Sequence, residues 1–214
     1  MSSLNCPLVV YKLGGSLLDW SGLPDALDWL CSRRPDAATL LVVGGGETAD
    51  VVRRWDEVFH LGEERAHWLA LESLALNEQL LQTLWPALRP VRSLTQVVSA
   101  ANERVPAIVC ASCFVRWGEK TGAPELPHNW QVTTDSIAAW IADVVSADEL
   151  VLLKSTSLPP ATTLQNASDA GLVDGYFPQA VVRVPRVTWV NLRASPVVSG
   201  ETEWLFQPRR EEQD

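Results

Sequence analysis

Apolar residues along the chain fall into two kinds of run. Short runs rich in β-branched residues, ended by glycine or lysine, alternate with longer stretches in which apolar positions return every three or four residues. Leu8 to Leu13 (LVVYKL) predicts a first buried strand closed by Gly14 and Gly15, and Leu40 to Val43 a second, also closed by glycines. Ala107 to Ala111, Leu150 to Lys154 and Val187 to Leu192 predict further strands. Leu23, Ala26, Leu27 and Leu30 share one face of a helix running to about Ser32. Glu47 to Val58 predicts another. Gly62 to Leu84 predicts the longest, with Leu69, Leu76, Leu80 and Leu84 near helical spacing and Pro86 as its stop. A helix at Asp135 to Val145 precedes the Leu150 strand. Arg116 to Asn129, polar and rich in Gly and Pro, predicts a loop placed to cover a site. The alternation predicts an α/β fold, a three-layer αβα sandwich around a mainly parallel open sheet. With no repeat, linker or break in composition, one domain is expected over residues 1–214, with 208–214 a frayed, charged tail.

Composition narrows the function classes. The chain is 47% apolar and 20% charged, ordinary values for a globular protein. Net charge is -9 and the basic residues are scattered, so neither nucleic acid nor a membrane surface is an expected partner. No stretch has the length of a membrane span, and the N-terminus does not read as a signal peptide, so a cytoplasmic location with four reduced cysteines is expected. Cys110 and Cys113 form a lone C-x-x-C without the second pair or nearby His that zinc needs, and no metal site is predicted from any side-chain spacing. Most of the ten tryptophans, such as Trp29, Trp55, Trp68, Trp85 and Trp140, fall in helical patterns as core or subunit-contact residues.

Four segments carry candidate chemistry. K-L-G-G-S at Lys12 to Ser16 lies where a buried strand turns into a helix; its glycines admit a close ligand, and the helix start directs N–H groups at an anion. G-G-G-E at Gly44 to Glu47 repeats that turn after the next strand. Two such turns on successive strands make adjacent backbone cradles along one sheet edge, a geometry suited to two phosphates facing each other. Neither turn has Walker A or dinucleotide-binding spacing. V-T-T-D-S-I-A-A-W at Val132 to Trp140 starts a helix with Thr133, Thr134, Asp135 and Ser136 in its first turn, which simple N-capping also explains. V-L-L-K-S-T at Val151 to Thr156 is another buried strand ending in a lysine, which equally suits a lysine snorkelling into water.

In that order the four segments resemble the amino acid kinase family, over about Val9 to Thr156. The resemblance implies the amino acid kinase (carbamate kinase-like) fold and transfer of the γ-phosphoryl group of ATP, with Mg²⁺, to a small anionic acceptor. It implies that Lys12 contacts the transferring group, that Asp135 organises Lys12 and Lys154, and that Gly14, Gly15 and Ser16 hold phosphate oxygens. Ser155 and Thr156, with Lys154, border the nucleotide, while Gly44, Gly45 and Gly46 line the acceptor side. Thr134 joins the acceptor side, as does His67, although a hydrogen-bonded helix histidine is the alternative there. Glu47 is a specificity candidate, able to attract an acceptor's amine. A homodimer or higher homo-oligomer is implied as well. Within the family the likeness is to a subgroup typified by the aminomethylfuranyl-methyl phosphate kinase of methanofuran assembly, through A-H-W-L-A at Ala66 to Ala70 and P-H-N-W-Q-V-T-T-D-S-I-A-A-W at Pro127 to Trp140. Such an enzyme turns a phosphate monoester into a diphosphate.

Two departures stand out. Ser157-Leu158-Pro159-Pro160 replaces the usual nucleotide loop, and a later segment that brings another lysine is absent. They motivate an alternative, a non-catalytic small-molecule or oxyanion binding protein on the same scaffold.

Overall fold

A computed structural model describes residues 4–194 and 201–204, so the tail read at 208–214 lies outside the described residues. Strands β1 (Leu8–Leu13), β2 (Ala38–Val43), β3 (Arg89–Val91), β4 (Ala107–Val109), β5 (Glu149–Lys154), β6 (Val187–Asn191) and β7 (Glu201–Glu203) form one seven-stranded sheet. Its order is β3-β4-β2-β1-β5-β6-β7, parallel throughout except for the antiparallel edge pair β6 and β7. Helices α1 (Leu23–Arg33), α2 (Glu47–Phe59), α3 (Glu63–Leu84), α4 (Leu94–Asn102), α5 (Ala111–Thr121), α6 (Thr134–Val144), α7 (Leu164–Asp169) and α8 (Phe177–Ala180) make the crossovers.

Apart from Lys12, Thr39, Glu149 and Lys154, the central strands β1, β2 and β5 are apolar along their length because both sheet faces are covered. Leu8, Val10, Leu40, Val42, Leu150 and Leu152 pack on one side with α4, α5 and α6. Val9, Tyr11, Leu13, Leu41, Val43, Val151 and Leu153 pack on the other, under Leu23, Ala26, Leu27 and Leu30 of α1. The register sets Lys12 between Val42 and Leu152, and Leu13 between Val43 and Leu153, so β1, β2 and β5 end level at one edge.

Several expectations are corrected. The strand read at Ala107 to Ala111 stops at Val109, and Cys110 caps α5. Arg116 to Thr121, read as loop, is helical; the loop begins at Gly122, whose φ of 78° closes α5. Gly118 sits inside that helix because an added Cβ would lie 2.4 Å from the Trp140 ring. Residues 89–102 carry a strand and a helix that the apolar pattern did not mark. On α3, the stripe Leu69, Leu76, Leu80 and Leu84 is exposed; the buried side carries Ala66, His67, Leu71, Leu74, Asn77, Glu78 and Leu81. Trp140 is buried, whereas Trp55 is 46% exposed.

Candidate active site

Period-two alternation decides where the lysines go. Lys12 continues the row Leu8, Val10, and Lys154 the row Leu150, Leu152, so both stand on the face that α6 covers. Asp135, in the first turn of α6, receives both. Lys12 Nζ is 2.9 Å from Asp135 Oδ1 and Lys154 Nζ is 2.9 Å from Oδ2. All three are largely buried, with side-chain exposures of 5%, 13% and 8% for Lys12, Lys154 and Asp135. Burial pushes the Asp135 carboxyl up, but the two ammonium groups overcome it and hold the group at about 2. Burial lowers Lys154, which Asp135 offsets in part. Lys154 also donates to Leu172 O at 2.7 Å and lies 5.3 Å from the ring centre of Trp189. The cluster sets two cations on one buried anion at the sheet edge.

The two glycine turns touch each other. Gly14 N donates to Leu153 O at 2.8 Å and Gly44 N to Leu13 O at 2.7 Å, extending the sheet ladder into both turns. A Cβ on Gly15 would fall 2.2 Å from Gly46 N, and one on Gly44 would fall 2.5 Å from Gly15 N. No side chain fits between them, and Gly46 has φ 52°, a conformation that favours glycine. Beyond Gly14 the chain turns through Gly15–Leu17 as a 3-10 helix, whose leading N–H groups have no intrahelical acceptor. This backbone cradle would be filled by any added Cβ and fits phosphate oxygens.

A cavity of about 270 Å³ opens beside it. Lys12, Gly15, Ser16, Gly45 and Gly46 form one end; Ala49, Ala70, Leu71, Leu74, Val132 and Ile137 form apolar walls; Asp50, Arg53, His67, Trp130, Thr133 and Thr134 add polar groups. Of the acceptor-side candidates, Gly45, Gly46, His67 and Thr134 line this space. Gly44 lies behind it, buried. Glu47 is exposed and does not line it. The helix period explains why: Gly46, Ala49, Asp50 and Arg53 share the face that meets the cavity, and Glu47 is turned away from it. The acidic group there is Asp50, 2.7 Å from Arg53. Arg53 stands 5.0 Å from the Trp130 ring centre, and Trp130 Nε1 donates to Asp56 Oδ2 at 2.8 Å. His67 is 5% exposed, and its Nε2 is buried without a partner.

Ser16 and Ser155 meet across the sheet edge, hydroxyl to hydroxyl at 3.0 Å. Thr156 O accepts from Trp189 Nε1 at 2.7 Å, fixing the chain as it leaves β5. Sequence reasoning missed two residues that hold this frame. Asn77, a polar residue buried in the middle of α3, donates to Gly44 O and Gly45 O, each at 2.8 Å, and so pins the triple-glycine turn. Asp174 accepts from Thr133 N, Thr133 Oγ1 and Ser136 N at 2.9, 2.8 and 3.0 Å, and from Ser136 Oγ, capping α6 from a distant loop. Asp174 lies in D-A-G-L-V-D-G-Y-F, Asp169 to Phe177, the segment that joins α7 to α8. His60 ends α2 in the left-handed region, and His128 lies in the loop before α6, 2.7 Å from both Glu64 and Glu119.

No family model matches the chain. A [5-(aminomethyl)furan-3-yl]methyl phosphate kinase of Methanocaldococcus jannaschii is 24% identical over 144 residues, 67% of this chain and 63% of that protein. The chain thus spans less than two thirds of the curated relative it matches. Among solved structures, UMP kinase from Ureaplasma parvum superposes with a TM-score of 0.66 at 12% identity, covering 93% of this chain and 99% of that one. UMP kinase from Bacillus anthracis gives 0.62 at 14% identity over 90% of each. Uridylate kinase from Archaeoglobus fulgidus gives 0.56 at 16% identity, covering 84% of this chain and 88% of that one. The chain therefore has the amino acid kinase fold, and it resembles that family in sequence as well as in architecture.

Proposed function

We propose that the chain is a phosphotransferase that moves the γ-phosphoryl group of ATP to a small anionic acceptor. The observation that carries this reading is the convergence of Lys12 and Lys154, from separate strands, on the single buried carboxylate of Asp135 beside two interlocked glycine turns and a cavity. Phosphoryl transfer asks for positioning and charge neutralisation rather than a protein nucleophile. Gly14, Gly15 and Ser16 offer the nucleotide its backbone cradle, bordered by Ser155 and Thr156. Lys12 and Lys154 neutralise the group in flight, and Asp135 keeps both ammonium groups charged and aimed. An acceptor oxygen forms the new P–O bond while the bond to the β-phosphate breaks and ADP leaves. Magnesium supplies further charge neutralisation when the nucleotide brings it. Among the described residues no group of three His, Cys, Asp or Glu is placed to cage a metal, so the fit is to an ion carried on the phosphates.

The acceptor we assign is a phosphate monoester, converted to a diphosphate as in methanofuran-type cofactor assembly. The activity of the Methanocaldococcus relative supports it, as does the cavity lining, cationic at Lys12 and Arg53, apolar along its walls and acidic at Asp50. An ionised phosphate acceptor has no proton to surrender, so no general base is required. We assign the protein to the cytoplasm as a homodimer or higher oligomer; among the described residues no helix is long and apolar enough to cross a membrane.

ADP release, followed with Mg-ATP and a panel of phosphate monoesters, nucleoside monophosphates and amino acids, tests the reading. At least one monoester should be turned over. Lys12→Ala should reduce that rate on the order of a thousandfold. Folding should change little, because Asp135 then keeps Lys154 as its partner. Tight Mg-ATP binding without ADP release under any acceptor would instead favour a non-catalytic binder.

A further inference from the structure

The nucleotide side of the proposed site is short of positive charge: Lys12 and Lys154 share one carboxylate, and a magnesium-bound triphosphate remains an anion. Another cation stands at the same sheet edge, on the side away from the acceptor cavity. The chain leaving β6 is bonded to Lys154 itself, through Leu192 N to Lys154 O at 3.0 Å. Asn191 then shapes the turn: its Oδ1 accepts from Arg193 N at 3.0 Å, and its Nδ2 donates to Ser157 Oγ at 3.1 Å. From that turn Arg193 reaches back over the end of β5 to the first glycine turn, where its Nη2 donates to Ser16 O at 2.8 Å. Ser16 is the residue whose hydroxyl meets Ser155. The loop after β6, through Asn191, Leu192 and Arg193, thus ties together the ends of β1, β5 and β6 that border the nucleotide in the reading above. Its side chain is 43% exposed, and its acidic neighbour, Asp19, is 3.9 Å away and 81% exposed, a pairing too loose to hold it. A guanidinium has five donors in a planar fork suited to phosphate oxygens, and anchoring it to one carbonyl reduces the entropy lost on binding.

We infer that Arg193 binds the terminal phosphates of the nucleotide. It is a third cation supplied by the loop after β6, completing a site that the two lysines leave underneutralised. The inference rests on the nucleotide reading above.

Calorimetry of Mg-ATP and of AMP binding to the full chain and to Arg193→Ala, Arg193→Gln and Arg193→Lys tests it. Arg193→Gln keeps an amide donor for Ser16 O but no charge, which separates the tether from the cation. Arg193→Ala and Arg193→Gln should weaken Mg-ATP by roughly ten- to a hundredfold, the weight of a charge-assisted contact, with AMP affected far less and Arg193→Lys in between. Unchanged Mg-ATP affinity in Arg193→Gln, or equal weakening of Mg-ATP and AMP, would reduce Arg193 to a structural tether and overturn the inference while leaving the kinase reading intact. Failure of the unsubstituted chain to bind Mg-ATP would remove both.

Discussion

At the scale of single residues, His67 shows what the cavity asks of a titratable group. Its ring stacks on His128 at 4.5 Å between centroids, and His128 is itself bracketed by Glu64 and Glu119. Burial, and then the neighbouring His128, push the His67 imidazole down from 6.5 to about 4, with Glu64 pulling weakly the other way. Because the folded-state value lies below that of the free ring, the unfolded chain takes up the proton first. The stabilisation is therefore complete above 6.5 and is lost as the pH falls toward 4, a difference on the order of 3 kcal/mol. Urea denaturation at about pH 7 and about pH 4.5 should show the native chain losing more stability than His67→Gln over that interval. Equal losses would mean the ring is not held neutral. Lys12 and Lys154 were legible in sequence because a charged residue ending an apolar strand is conspicuous. Asp50, Arg53 and Trp130 were not, since they become neighbours only when α2 and the loop before α6 meet at the cavity.

At the scale of elements, the turns and the start of α6 determine whether these residues meet at all. Thr133, the N-cap of α6, makes no side-chain capping bond of its own; the carboxylate of Asp174 does that work from the loop before α8. Asp174→Ala should destabilise the protein by about 3 kcal/mol, since several donors lose a charged acceptor together. Amide hydrogen exchange should quicken first at Ser136 and its neighbours, and the proposed transfer should slow as Asp135 loses its seat. Exchange unchanged at that turn would count against the capping role. Only the fold reveals this bond, because residues 133 and 174 are far apart in sequence and any of several first-turn side chains was a plausible local cap. The same reason hid α5: Gly118 reads as a breaker until Trp140 is laid against it. β3 escaped notice because it is three residues long with a central proline. By contrast β1, β2 and β5 were readable, being buried on both faces and cut off by glycine or lysine.

At the scale of the whole molecule, the large apolar side chains left exposed among the described residues, Trp55, Val58, Phe59, Leu69, Leu76, Leu80 and Leu84, all belong to α2 and α3. A row of apolar residues at helical spacing ordinarily marks the buried side, and α3 has such a side already, through Leu71, Leu74 and Leu81. Its second row faces outward along a 22-residue helix, about 33 Å of edge, enough for one side of an ordinary protein interface. Charges of both signs flank it on the two helices, Arg54 and Glu57 on α2, Arg65 and Glu72 on α3, so identical surfaces could meet across a two-fold axis without like-charge repulsion. In the proposed homo-oligomer, this stripe is where a second copy of the chain would seat. Light scattering on the eluting peak should report a dimer or larger assembly for the native chain and a monomer for Leu76→Glu, with the circular dichroism of the two unchanged. Leu76 is 65% exposed, so its replacement leaves the fold's own core untouched and any change in mass comes from the interface. A native chain that elutes as a monomer at high concentration would assign the stripe to some other covering and remove α3 from the assembly.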